Sequence, residues 1–417
     1  MSQPEPYPSL VDHHWLTSRR LKVIAAVAMA INLMAIAKWI WQWQFTDLGF
    51  LPAGLDFIAY WTASLMAADG RAAMAYDLNA FFAAQKLAVP TVPGLLTWQY
   101  PPGFLLLLLP LSLLPYLPAY LAWTASTLLA FGAVLRRIVP PGTSILLLLA
   151  LPGVMRNATY GQNGFLTGAL MGGGLLLLST RPVLAGVLFG VLTIKPHLGL
   201  LLPVALLAIG AWRTVISAAV TAIVFQTLSL IVLGPDTLGG FIDALPRMTR
   251  QLASGELPIA AMPTAYSLAR GLGVQAVTAA AAHALVAMMV AVIVFKVWRT
   301  VADAGMRAAV LTAGSLLISP YLYDYDLVWL TLPIAWFAVD AQRSGWRSLE
   351  RELLLLVAVL PALVRGPLEA SGVQPAVLVL ILFFAMTVLR AMRVHEAGET
   401  GEPGLDSTGA ESGTGRG

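Results

Sequence analysis

Cysteine is absent from this sequence, which rules out disulfides, thiolate catalysis and cysteine-ligated metal sites. Charge is scarce as well. Asp, Glu, Lys and Arg make up 11% of the 417 residues, against about 25% in soluble domains, so an ordinary soluble globular fold is excluded. No Gly-rich nucleotide-binding loop occurs. Nor is there a short-period repeat or an inverted symmetry between the halves, which argues against many secondary-transporter folds.

What is present in excess is hydrophobic residues, at 58%. Apolar segments at 21–43, 101–135, 143–155, 164–179, 183–194, 197–210, 215–233, 274–298, 308–318, 327–339, 353–364 and 377–392 recur at bilayer-crossing intervals, about 20 residues being needed per span. The pattern predicts an all-α, polytopic integral membrane protein with about 11–13 transmembrane helices and a long first outer loop. Residues 1–20 read as a cytoplasmic tail, 21–394 as the membrane domain and 395–417, rich in Gly, Glu, Ser and Thr, as a disordered tail. The segment from residue 21 is too long for a cleaved signal peptide and reads as a retained first crossing, closed by Trp39, Trp41 and Trp43 as an aromatic belt. Residues 101–135, broken by Pro110, Pro115 and Pro118, read as a single interrupted crossing, with a tight hairpin as the alternative. Within the 44–99 loop, residues 56–86 alternate at helical spacing and suggest amphipathic helices lying on the membrane surface.

Net charge is +4. Basic residues sit at segment ends, so they set orientation and meet lipid headgroups, and nucleic acid is not an expected partner. Arg19, Arg20 and Lys22 place the N-terminus inside. Threading then puts Arg136, Arg181, Arg213, Arg299, Arg343 and Arg390 inside, and Asp56, Gln162, Asn163, Lys195, His197 and the 319–326 run outside.

Several of these outer residues are candidates for chemistry. Asp56, flanked by Leu55 and Phe57, is a partly desolvated carboxylate suited to act as a base; the competing reading is a helix N-cap. Lys195, inside Leu192–His197, is an ammonium at membrane depth suited to a phosphate, with snorkelling to the interface as the alternative and His197 as a possible assistant. Gln162 and Asn163 offer amides for sugar hydroxyls, or simply form a turn. Tyr323, Asp324, Tyr325 and Asp326 form the densest polar-aromatic cluster. Tyrosines there can stack on a sugar, and the D-x-D form is too short to predict a metal. No metal and no cofactor is expected.

The ordered set Asp56–Tyr60, Tyr76-Asp77, Tyr100-Pro101-Pro102, Leu111–Pro115 with Trp123, Gly161-Gln162-Asn163, Ile194-Lys195-Pro196 and Ser319-Pro320 resembles glycosyltransferase family 87, polyprenol-phosphate-mannose-dependent mannosyltransferases with the GT-C membrane fold. The resemblance implies a transferase that inverts a polyprenyl-phosphate sugar at the outer face of a bacterial inner membrane. It implies Asp56 as general base, Lys195 and His197 at the donor phosphate, and Tyr60, Tyr100, Gln162, Asn163, Tyr323, Asp324 and Tyr325 around sugar and acceptor. The implied partners are the lipid-phosphate donor, an envelope glycolipid or glycan acceptor, and membrane lipids. One departure stands out: Tyr325 occupies the place where family members often carry a histidine. The alternatives outside this class are a lipid-linked sugar flippase and a membrane scaffold.

Overall fold

The computed structural model describes residues 18–45, 54–90, 96–364 and 369–400. These form helices joined by turns, with no strand among them. Of the expected 1–20 tail, residues 1–17 lie outside the described residues and 18–20 begin the first helix; of the expected 395–417 tail, 395–400 belong to the last helix and 401–417 lie outside.

In chain order the helices are α1 (Ser18–Phe45), α2 (Phe57–Ala68), α3 (Leu78–Ala88), α4 (Pro102–Leu108), α5 (Tyr116–Ile138), α6 (Pro141–Ala150), α7 (Pro152–Tyr160), α8 (Gly164–Leu177) and α9 (Pro182–Val191). There follow α10 (Leu201–Ala208), α11 (Trp212–Leu233), α12 (Asp236–Ser254), α13 (Ala265–Gly271), α14 (Ala276–Thr300), α15 (Ala304–Ile318), α16 (Thr331–Ser344), α17 (Glu350–Leu363) and α18 (Ala376–Thr400). Of these, α5, α11, α14 and the 376–393 part of α18 are long and apolar enough to cross a membrane. The protein is an all-α membrane protein.

Burial separates lipid-facing from interior helices. On α11, Ile216, Val220, Ile223 and Val224 are exposed, which suits a helix solvated by hydrocarbon rather than water. By contrast α15 is buried from Ala308 to Ile318 and packs on α14, α16 and α18.

Proline sets the breaks. Pro152 has no amide hydrogen to continue a helix, so the expected 143–155 crossing bends at Leu151 into α6 and α7. The 101–135 segment divides rather than crossing once. Residues Pro102–Leu113 fold as α4 and a 3₁₀ turn that pack on α11 and α2, and the full-length span begins only after Pro115. Nor is α2 the amphipathic helix expected of this stretch. It carries no charged residue and buries Phe57, Ile58, Tyr60, Thr62, Ser64 and Met66, so it is an interior helix. Its neighbour α3, capped by Asp77, is one-sided, burying Phe81 and Gln85 and exposing Lys86 and Leu87.

Helix direction places the ends of α7, α9 and α15 and the start of α8 on one face. The opposite ends carry the basic residues. There Arg390 of α18, buried, reaches Asp340 of α16 (2.5 Å) and Glu350 of α17 (2.6 Å), locking three helices together.

Candidate active site

Two loops meet on the face opposite that cluster, and α5 holds both. Its Tyr116, Tyr120 and Trp123 fall at i, i+4 and i+7, hence on one side of the helix. Tyr116 donates to the Gly54 carbonyl (2.9 Å), Tyr120 to that of Ala158 (2.7 Å) and Trp123 to that of Gly161 (3.0 Å). The loops also bond each other directly, Gly54 N–H to Thr159 O (3.2 Å) and Asp56 N–H to Tyr160 O (3.1 Å). Their approach is too close for side chains at the contact. Gly161 has φ +68°, and a Cβ there would lie 2.6 Å from Cβ of Phe57.

This arrangement presents Asp56 to Gln162. Asp56 does occupy the N-cap position of α2, but its side chain makes no cap hydrogen bond to the helix. Instead Oδ2 accepts from Gln162 Nε2 at 2.6 Å. The oxygen of the same amide accepts from Tyr60 (2.5 Å) and Tyr100 (3.3 Å), whose hydroxyls lie 2.8 Å apart. With two phenols fixing its oxygen, the amide must turn its NH₂ to the carboxylate, so its orientation follows from its partners. Burial raises both phenols above their ordinary value, with the charge of Asp56 adding to it. Gln162 and Asn163 do form a turn, and the turn serves the site: with its amide turned to satisfy both partners, Asn157 donates to the Gln162 carbonyl and accepts from the Gly164 N–H, at 3.0 Å each.

The next residue, Asn163, begins a second group. Its Oδ1 accepts from Lys195 Nζ (3.2 Å), which also meets Asp326 Oδ1 at 2.5 Å and lies 5.3 Å from the centre of the Tyr325 ring. Lys195 is 4% exposed and Asp326 fully buried. The ammonium therefore does not snorkel. A charge at this depth is retained by a partner, and that partner, Asp326, was not among the residues assigned a role from sequence. Asp326 also accepts from the Tyr323 N–H at 3.3 Å, which ties it into the turn that carries it. Burial and the nearby charge of Asp56 hold the Tyr325 phenol well above its ordinary range.

The remaining candidates lie around this pair. Tyr323 stacks on Tyr325 at 5.3 Å. Buried Asp324 faces Arg156 of α7 at 3.8 Å, a second basic group missed in the sequence. The two carboxylates of the D-x-D run thus answer different cations, and among the described residues no three His, Asp or Glu side chains converge as metal ligands. His197 sits beside Lys195 in the Pro196–Leu198 turn. Its Nε2 is buried without a hydrogen-bond partner, as are Asn163 Nδ2 and the Ser319 hydroxyl. The structure thus brings Asp56, Tyr60, Tyr100 and Gln162 into one group and Asn163, Lys195, Tyr325 and Asp326 into another, joined through the 162–163 peptide.

A half-buried carboxylate aligned by an amide stands beside a buried ammonium within an aromatic wall. The sequence model of glycosyltransferase family 87 matches residues 98–320. That is over half of the chain, which belongs to this family. The protein is a membrane glycosyltransferase. The matched stretch contains Tyr100, Gln162, Asn163, Lys195 and His197, while Asp56, Tyr60 and Tyr323–Asp326 lie outside it. No curated relative and no solved structure matches the chain.

Proposed function

We propose that the protein is an inverting hexosyltransferase that draws its sugar, mannose by the resemblance, from a polyprenyl phosphate and passes it to an envelope glycolipid or glycan. The site faces the outside of a bacterial inner membrane, within a catalytic domain spanning 21–394. The acceptor hydroxyl attacks the anomeric carbon and its proton passes to Asp56. The bond from that carbon to the phosphate oxygen breaks, and the polyprenyl phosphate leaves with the electron pair. Lys195 offsets the charge that develops there, exchanging Asp326 for the phosphate, and His197, Asn163 and Ser319 offer the polar atoms that lack protein partners. Tyr60, Tyr100, Tyr323 and Tyr325, with Asp324, wall the sugar and acceptor.

The observation that carries this reading is the 2.6 Å bond from Gln162 to Asp56 Oδ2. It fixes the direction of the carboxylate that takes the proton.

Asp56→Asn in purified, reconstituted protein is expected to lower transfer from polyprenyl-phosphate mannose by roughly 10²–10⁴-fold with an unchanged melting temperature. Full activity would overturn the assignment of Asp56. Movement of the lipid-linked sugar across the bilayer without transfer to any acceptor would favour the flippase.

A further inference from the structure

The helices that carry the site at one end frame a cavity at the other. The end of α8, the starts of α9, α11 and α15 and the ends of α10 and α14 enclose about 470 Å³. With 14 residues, α8 separates it from the site by about 21 Å. Its wall includes Leu178, Pro182, Trp212, Arg213, Trp298 and Arg307.

Two of these are cations that no direct ion pair holds. Among the described residues no carboxylate lies within ion-pair distance of Arg213 or Arg307. Arg307, half-buried, rests on the Trp298 ring at 5.6 Å, while the Trp298 indole donates to the Arg307 carbonyl at 3.0 Å. Asp303, whose charge reaches Arg307, is taken up in capping α15, accepting from the Met306 N–H at 2.7 Å. The same face shows what a purely structural arginine looks like here, since Arg390 is met by two carboxylates. Three helix N-termini and three C-termini meet at the cavity, so their dipoles offset one another and its positive charge is that of the two arginines. Above Arg213, the exposed side chains of Trp212, Ile216, Val220 and Ile223 form a continuous apolar track along α11.

We propose that this cavity binds a lipid-borne phosphate from the leaflet on the basic face. Arg213 and Arg307 take the phosphate, the two indoles lie at headgroup level and the acyl chains follow the α11 track. The proposal is independent of the transferase reading, because it concerns the opposite end of the bundle.

Native mass spectrometry of the full chain, titrated with dioleoyl phosphatidylglycerol or dioleoyl phosphatidylcholine, tests it. The wild type is expected to retain the anionic lipid about tenfold more tightly, and Arg213→Gln to lose that preference. Arg213 is exposed, so this variant decides the matter even where Arg307→Gln fails to fold. Equal retention of both lipids, or an anionic preference untouched by Arg213→Gln, would overturn the proposal. So would displacement of the anionic lipid by millimolar inorganic phosphate, which would mark a free-anion site. Persistence of the lipid under that phosphate supports the lipid-borne ligand.

Discussion

At the scale of single residues, the roles of Gln162 and Lys195 differ in kind and are separable by substitution. Gln162 touches Asp56 rather than defining the chemistry itself, so it is a positioning residue. Gln162→Ala frees the carboxylate to rotate, and a misplacement of that order is expected to lower kcat on the order of 10²-fold with little change in KM. A KM rise at constant kcat would instead make Gln162 a sugar ligand. Lys195→Met strands Asp326 as a buried uncompensated charge and is expected to cost about 3–5 kcal/mol of stability. Adding Asp326→Leu should restore the melting temperature but not transfer. If the single variant melts like the wild type, the two residues are not an essential pair.

Asp56 and Lys195 were legible in the sequence because a charge in apolar surroundings stands out. Their partners were not: Gln162 is 106 residues from Asp56 and Asp326 is 131 from Lys195, and pairings at that separation leave no local trace. A buried lysine does demand a counter-charge, so the D-x-D run was the place to look for one.

At the scale of elements, the site depends on how tightly two loops close under α5. Gly161→Ala places a Cβ against Phe57, the residue after Asp56, in a conformation that itself costs an L-residue roughly 1–2 kcal/mol. The expected result is a lower melting temperature together with a loss of transfer, since relief of the clash moves the start of α2 and Asp56 with it. An active, normally stable variant would show that the loops are not held in contact. Apolar runs located the long helices well. The sequence reading failed where burial inside protein and burial in lipid look alike: α4 is as apolar as a span, yet is packed within the molecule, and α2, expected as a surface helix, is buried on most sides.

At the scale of the whole molecule, buried phenols shape the response to pH. Tyr60, Tyr76, Tyr100 and Tyr325 all keep their protons above the ordinary phenol value of 10.0. Above about pH 10 the unfolded chain releases these protons while the native chain holds them. Stability is therefore level below that point and falls as pH rises beyond it. Melting temperatures measured from about pH 8 to about pH 11 check this, and Tyr60→Phe should soften the fall. A melting temperature that holds level through this range would contradict the burial of these hydroxyls.

The Lys195–Asp326 pair has a bearing on inhibition. A compound that imitates a lipid phosphate competes with a carboxylate already 2.5 Å from the ammonium, so its contacts overstate its affinity. A neutral compound directed at Tyr60, Tyr100 and Gln162 displaces only neutral hydrogen bonds among them, at 2.5–3.3 Å, rather than an ion pair. The contact to avoid in drug design on this scaffold is therefore the one that must pull the ammonium from its carboxylate.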